Sequence, residues 1–186
     1  LWITRFFKSI FYSGSFDEKD STEDVFWYLM PEIEDKIEAL RLYIENNLSI
    51  NESDFWYYVL NPEMVSHMDR LSKADCEQLA LKIWDWDAET LMCLADPFLE
   101  ISNPNLDGCF LYCKLFLVVE KFEDIHYLGG NMPPAVTHIE PGTQPLHFYT
   151  DLENKAIEAF KDYEPFFLRY IREKLEEEKN LRKEKI

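Results

Sequence analysis

The groups in this chain that could carry a reaction are 4 histidines, 4 cysteines and 36 carboxylates. His67, His126, His138 and His147 show neither the His-Glu-x-x-His spacing nor a close His/Cys grouping, so spacing draws no metal site. The nearest approach is Glu123-Asp124 followed by His126 beside Gly129-Gly130, a pattern that reads as a helix end with a surface histidine. Cys109 and Cys113 share a helical face, and Cys113 with a histidine behind it would be a thiol nucleophile. Their apolar neighbours favour inert core thiols instead. Paired carboxylates carry little information in a chain this acidic. Glycine-rich phosphate loops, dinucleotide fingerprints and the Gly-x-Ser-x-Gly elbow are absent from the sequence. No catalytic signature and no cofactor are implied.

Binding chemistry is better represented. Trp84-Asp85-Trp86-Asp87 places two indoles beside two carboxylates, and successive residues on a helix diverge by about 100°. The two tryptophans therefore cannot both follow Ile83 in direction; one at the surface would be an anchor with an acidic rim, and the favoured alternative is an ordinary corner in which both indoles pack. Asp87 is also the natural cap of the next helix. Glu120, Glu123 and Asp124 add acid at the end of a second helix. These seven residues form the candidate partner-binding surface. The run Phe55-Trp56-Tyr57-Tyr58 must also leave some rings facing outward.

The 36 acidic against 19 basic residues give a net charge of -17, which disfavours binding a phosphate backbone and suits a basic protein partner. Residues 17–130 hold 25 of the acids and only 8 bases. The apolar run at 115–119 is far short of the roughly 20 residues that span a bilayer, and no secretory leader is visible. Thiols at core positions without a Cys-x-x-Cys pair suit a reducing, cytoplasmic setting.

The elements that position these groups are helical. The 186 residues include only 5 glycines, too few for the tight turns of an all-β fold. Ile37, Leu40 and Ile44 continue an apolar stripe to about residue 47. Asn61-Pro62 restarts a helix, and Ser72 with Asp75 makes an acidic capping box. Cys76, Leu79, Ala80 and Ile83 form one core face; Leu91, Leu94, Ala95 and Phe98 form the next, with a bend or restart expected at Pro97. Residues 106–122 are apolar around most of the circumference and should lie centrally. The remaining expectations are a docking helix over 1–16, a left-handed cap at Gly129-Gly130, a proline-rich loop over 131–148 and a frayed charged tail over 176–186.

Over residues 60–134, the Leu-Ala-Asp-x-Phe-Leu-Glu motif, the Asn-Pro-Asn corner and the aromatic-rich helix ending in Leu-Gly resemble small acidic HEAT-like proteins. Those proteins are bacterial immunity proteins of polymorphic toxin systems. The resemblance implies a cytosolic, non-catalytic protein that covers the working surface of a toxin, basic if that toxin is a nuclease. The reading is a single all-α domain, an irregular HEAT-like helical-hairpin array or a helical bundle, that binds a basic toxin domain and neither nucleic acid nor membrane. The alternatives are a small enzyme using His126, His138 or His147 near the proline-rich loop, and an oligomeric scaffold joined through its aromatics.

Overall fold

The computed structural model describes residues 35–183. The expected docking helix over 1–16 lies outside the described residues. The described chain is all-α, an array in which helices pack mainly on their sequence neighbours. No strand occurs among the described residues.

Asp35 caps α1 (Lys36–Asn47) by accepting the Ile37 and Glu38 amides, and Ile37, Leu40 and Ile44 are buried. A helical turn α2 (Ser53–Phe55) runs through a π turn (Trp56–Leu60) into α3 (Asn61–Asp69). Pro62 has no N–H to return to the carbonyl four residues back, and the π turn, closed by the Asn61 amide on the Trp56 carbonyl, lies immediately before it. Ser72 and Asp75 form the expected capping box of α4 (Lys73–Lys82), which continues as a 3-10 turn (Ile83–Asp85). Two ion pairs, Lys36 to Asp75 at 3.3 Å and Lys82 to Asp35 at 3.2 Å, join α1 to α4.

Of the bend or restart expected at Pro97, the restart occurs: α5 (Ala88–Met92) ends and α6 (Ala95–Glu100) begins after two turn residues. The proline ring crowds the carbonyl four positions back, at Cys93, where the helix opens. Asn103 of the Asn-Pro-Asn corner is buried, and its amide donates to the Met68 and Leu71 carbonyls, closing the end of α3. The central helix α7 (Gly108–Val118) packs on α6, on α8 (Phe122–His138) and on α9 (Leu146–Ala159). Leu111, Tyr112, Cys113, Leu115 and Phe116 are all buried, as the apolar circumference requires.

Three expectations are corrected. Gly129 and Gly130 do not cap a helix but lie inside α8, where a Cβ on Gly129 would stand 2.5 Å from the Phe167 ring. The proline-rich segment is helical up to His138, and the irregular part shrinks to residues 139–145. The carbonyls that Pro133 and Pro134 would crowd and leave unpaired are those of Gly129 and Gly130, where the backbone adapts most readily. The tail does not fray over its described part: α10 (Leu168–Lys183) is continuous, with Lys174, Leu175 and Glu178 buried. Glu178 accepts the Gly142 amide at 2.8 Å and Arg182 donates to the Gln144 carbonyl at 2.6 Å, so polar groups dock this helix where apolar surface ends. Gly142, at φ 81°, occupies the left-handed region that the turn needs.

Buried His67 holds the Lys36 carbonyl at 2.7 Å, and burial pushes its imidazole below the ordinary value of 6.5. The unfolded chain takes up this proton near pH 6.5 while the folded chain does so only at lower pH. Stability therefore falls as pH drops through that window. Glu63, whose carboxyl burial pushes up, titrates with the opposite sign. A urea midpoint lower at about pH 5.5 than at about pH 7.5, with a smaller difference in His67→Gln, is the expected result. Equal pH dependence in the two proteins would place the titration elsewhere.

Candidate functional site

Asp87 accepts the Glu89 and Thr90 amides and the Thr90 hydroxyl, the last at 2.6 Å, so it starts α5 as the sequence requires. The Thr90 hydroxyl and then its amide hold the Asp87 carboxyl below the usual carboxylate range. Replacing it by alanine should cost about 1 kcal/mol through the lost cap, read as a lowered thermal midpoint with helix content otherwise retained. An unchanged midpoint would remove this role.

The neighbouring indoles are both half-buried, as in the packed-corner reading, and neither is an exposed anchor. The Trp84 N–H donates to the Ala80 carbonyl at 2.7 Å, and the Lys114 ammonium sits 4.2 Å from the ring centroid. This ring is engaged within the chain. Asp85 is exposed, and so is Glu120 on the link from α7 to α8.

Glu123 and Asp124 are brought together with residues that sequence reasoning did not single out. They line a groove of about 590 Å³ between the first turns of α8 and the α5–α6 pair. Its far wall is Glu89, Met92, Cys93 and Asp96, and Trp56 of the π turn closes one side. Tyr127, half exposed, donates its hydroxyl to both oxygens of Asp96, at 2.9 and 2.8 Å. Four carboxylates thus face the groove against one cation, Lys121. Glu89, Glu123 and Asp124 form no side-chain hydrogen bond or ion pair with the described residues, which leaves their charge available. Trp84, Asp85, Trp86, Asp87 and Glu120 lie outside the groove lining, and the Trp-Asp-Trp-Asp corner reaches it only through Ala88 and Glu89 that follow.

The spacing of the missed residues was readable. Leu91, Leu94, Ala95 and Phe98 are buried as expected, and the opposite face of the same stretch is Glu89, Met92, Cys93 and Asp96, at i, i+3, i+4 and i+7. Tyr127 stands four and three residues after Glu123 and Asp124 on α8.

The groups of the enzyme alternative are not assembled. His126, His138 and His147 are exposed, and the first two stand twelve residues apart on one helix, about 18 Å along its axis. His138 borders a second groove, of about 500 Å³, with Cys109, Asp107 and Glu140. No hydrogen bond joins Cys109 to His138. Burial first, and then Asp107, push the Cys109 thiol up, the opposite of what a thiolate nucleophile needs. Cys113 is buried and its thiol is pushed well up by that burial. Among the described residues no group of His, Cys, Asp and Glu is placed to hold a metal ion, and no helix is long and apolar enough to cross a membrane. The chain matches no protein-family model, and comparison with curated proteins and with solved structures finds no match.

Proposed function

We propose that this chain is a non-catalytic binding module for a basic protein partner, an immunity-type inhibitor that works in the cytoplasm by covering a cationic toxin surface. The observation that carries the reading is the groove between α5–α6 and α8, with four carboxylates, one lysine and the rings of Trp56 and Tyr127. Aromatic walls bury apolar area at little entropic cost, and four like charges gathered around one lysine are relieved by a cation from outside. The net charge of -17 adds long-range attraction for the same class of partner. The helical array and the acidic, corner-rich sequence of residues 60–134 support the inhibitor role. The phosphate-binding face of a nuclease is the natural example of such a cationic surface. The test is the activity of the partner recovered with this chain. One equivalent should abolish it, and activity untouched at saturating binding would overturn the inhibitor reading.

A further inference from the structure

A second surface, independent of the acidic groove, stands where α8, α9 and α10 meet. Phe122, Tyr163 and Phe166 are 46, 54 and 64% exposed, and Ile157 is 47% exposed. The rings stand on buried ones: Phe122 and Tyr163 each lie 5.4 Å from Phe160, and Phe166 lies 5.9 Å from Phe167. Phe160 and Phe167 are themselves 5.5 Å apart in the core. The exposed rings are therefore held rather than free, which lowers the entropy lost on docking. At about half of 150–250 Å² each, four such side chains offer on the order of 400 Å² of apolar surface. That is the size of the largest patch on a typical monomer, which is often a functional one.

Charge selects the occupant. A notch of about 310 Å³ in this surface is rimmed by Lys161 and Arg172 and by Asp162 and Glu164, two charges of each sign, unlike the acidic groove. Arg172 is engaged by Glu153 at 2.7 Å and by Glu164 at 2.5 Å, whereas Lys161 and Asp162 form no ion pair with a described side chain. A two-fold axis brings the same patch of both copies together, so Lys161 of each can meet Asp162 of the other. A strongly basic partner would be drawn to the acidic groove, whereas a rim with two charges of each sign suits a contact face that is equally mixed, as the same rim of a second copy is.

We propose that this aromatic surface is a self-association site whose occupant is a second copy of this chain. The apolar area is about half of what a standard interface buries per partner, the size of a weak, reversible contact. The test is sedimentation equilibrium of the full chain from about 5 to about 500 µM at low and high salt. A monomer–dimer equilibrium is expected that strengthens with salt, since two bodies of -17 repel less when screened. Phe166→Glu should be monomeric throughout with an unchanged thermal midpoint, because the ring is mostly exposed. Leu81→Glu, at a side chain 75% exposed on α4, should dimerise as the unaltered chain does. A monomer at every concentration, leaving the patch to another occupant, or a dimer that Phe166→Glu leaves intact, would overturn the proposal.

Discussion

Lysine at both Glu89 and Glu123 should slow association with the basic partner about tenfold or more at low ionic strength, and should flatten the dependence of that rate on salt. The two carboxylates face one groove from opposite walls, one on α5 and the other on α8. Neither is held by another side chain, so the loss falls on the partner rather than on the fold. Both sit in first turns, where an acid favours the helix dipole, so a cost of a few tenths of a kcal/mol to about 1 kcal/mol in stability accompanies the change. Glutamine at the same positions removes the charge without reversing it and should give an intermediate rate. Lysine at Glu77 and Glu100, exposed residues outside the groove, changes net charge equally and measures the contribution of the whole field. If this control slows association as much as the groove variant, the groove is not the docking site.

Alanine at Gly108 should be the most damaging single methyl group in the described chain. A Cβ there would stand 1.9 Å from the Phe98 carbonyl oxygen and 2.8 Å from the Ile101 side chain. The first obstacle is backbone, which can yield only if α6 and α7 separate. The cost should reach about 3 kcal/mol, or roughly 6 to 12 °C in the thermal midpoint of a chain this size. At Gly129 the Cβ would stand 2.5 Å from the Phe167 ring, a side chain that can shift, so a smaller loss of about 1 to 2 kcal/mol is expected after the gain in helix propensity. Gly130 has open space, and alanine there should stabilise by up to about 1 kcal/mol. The expected order of midpoints is Gly130→Ala, the unaltered chain, Gly129→Ala, then Gly108→Ala. A Gly108 variant as stable as the unaltered chain would contradict the packing of α6 on α7.

Periodicity and capping chemistry make much of this architecture legible in the sequence. The Ser72–Asp75 box, the Asp87 cap and the buried positions Cys76, Leu79, Ile83, Leu91, Leu94, Ala95 and Phe98 follow from local rules, because they depend on residues a few positions apart, while Ala80 of the expected α4 face is only half-buried. What was not legible depends on contacts distant in sequence. Gly129-Gly130 reads as a helix stop until Phe167, 38 residues on, is known to occupy the space above Gly129. Pro133 and Pro134 read as loop until those glycines accommodate them inside α8. The end of α10 looks too polar to dock until Gly142 and Gln144 supply the partners of Glu178 and Arg182. The candidate site shows the same division. The acids Glu123 and Asp124 were visible as composition, but Trp56, Glu89, Asp96 and Tyr127 join them only through packing of separate helices. The tryptophans that drew attention at the Trp-Asp-Trp-Asp corner are half-buried, and Lys114 already lies over one of them.

The central claim, that the groove takes a basic protein partner, is most directly tested by recovering stoichiometric partners from the native host with the unaltered chain and with the Glu89→Lys, Glu123→Lys variant. The account predicts one protein of high isoelectric point with the unaltered chain, and its loss with the variant at the same folded concentration. A neutral or acidic partner, or a basic one retained equally by both, would contradict it.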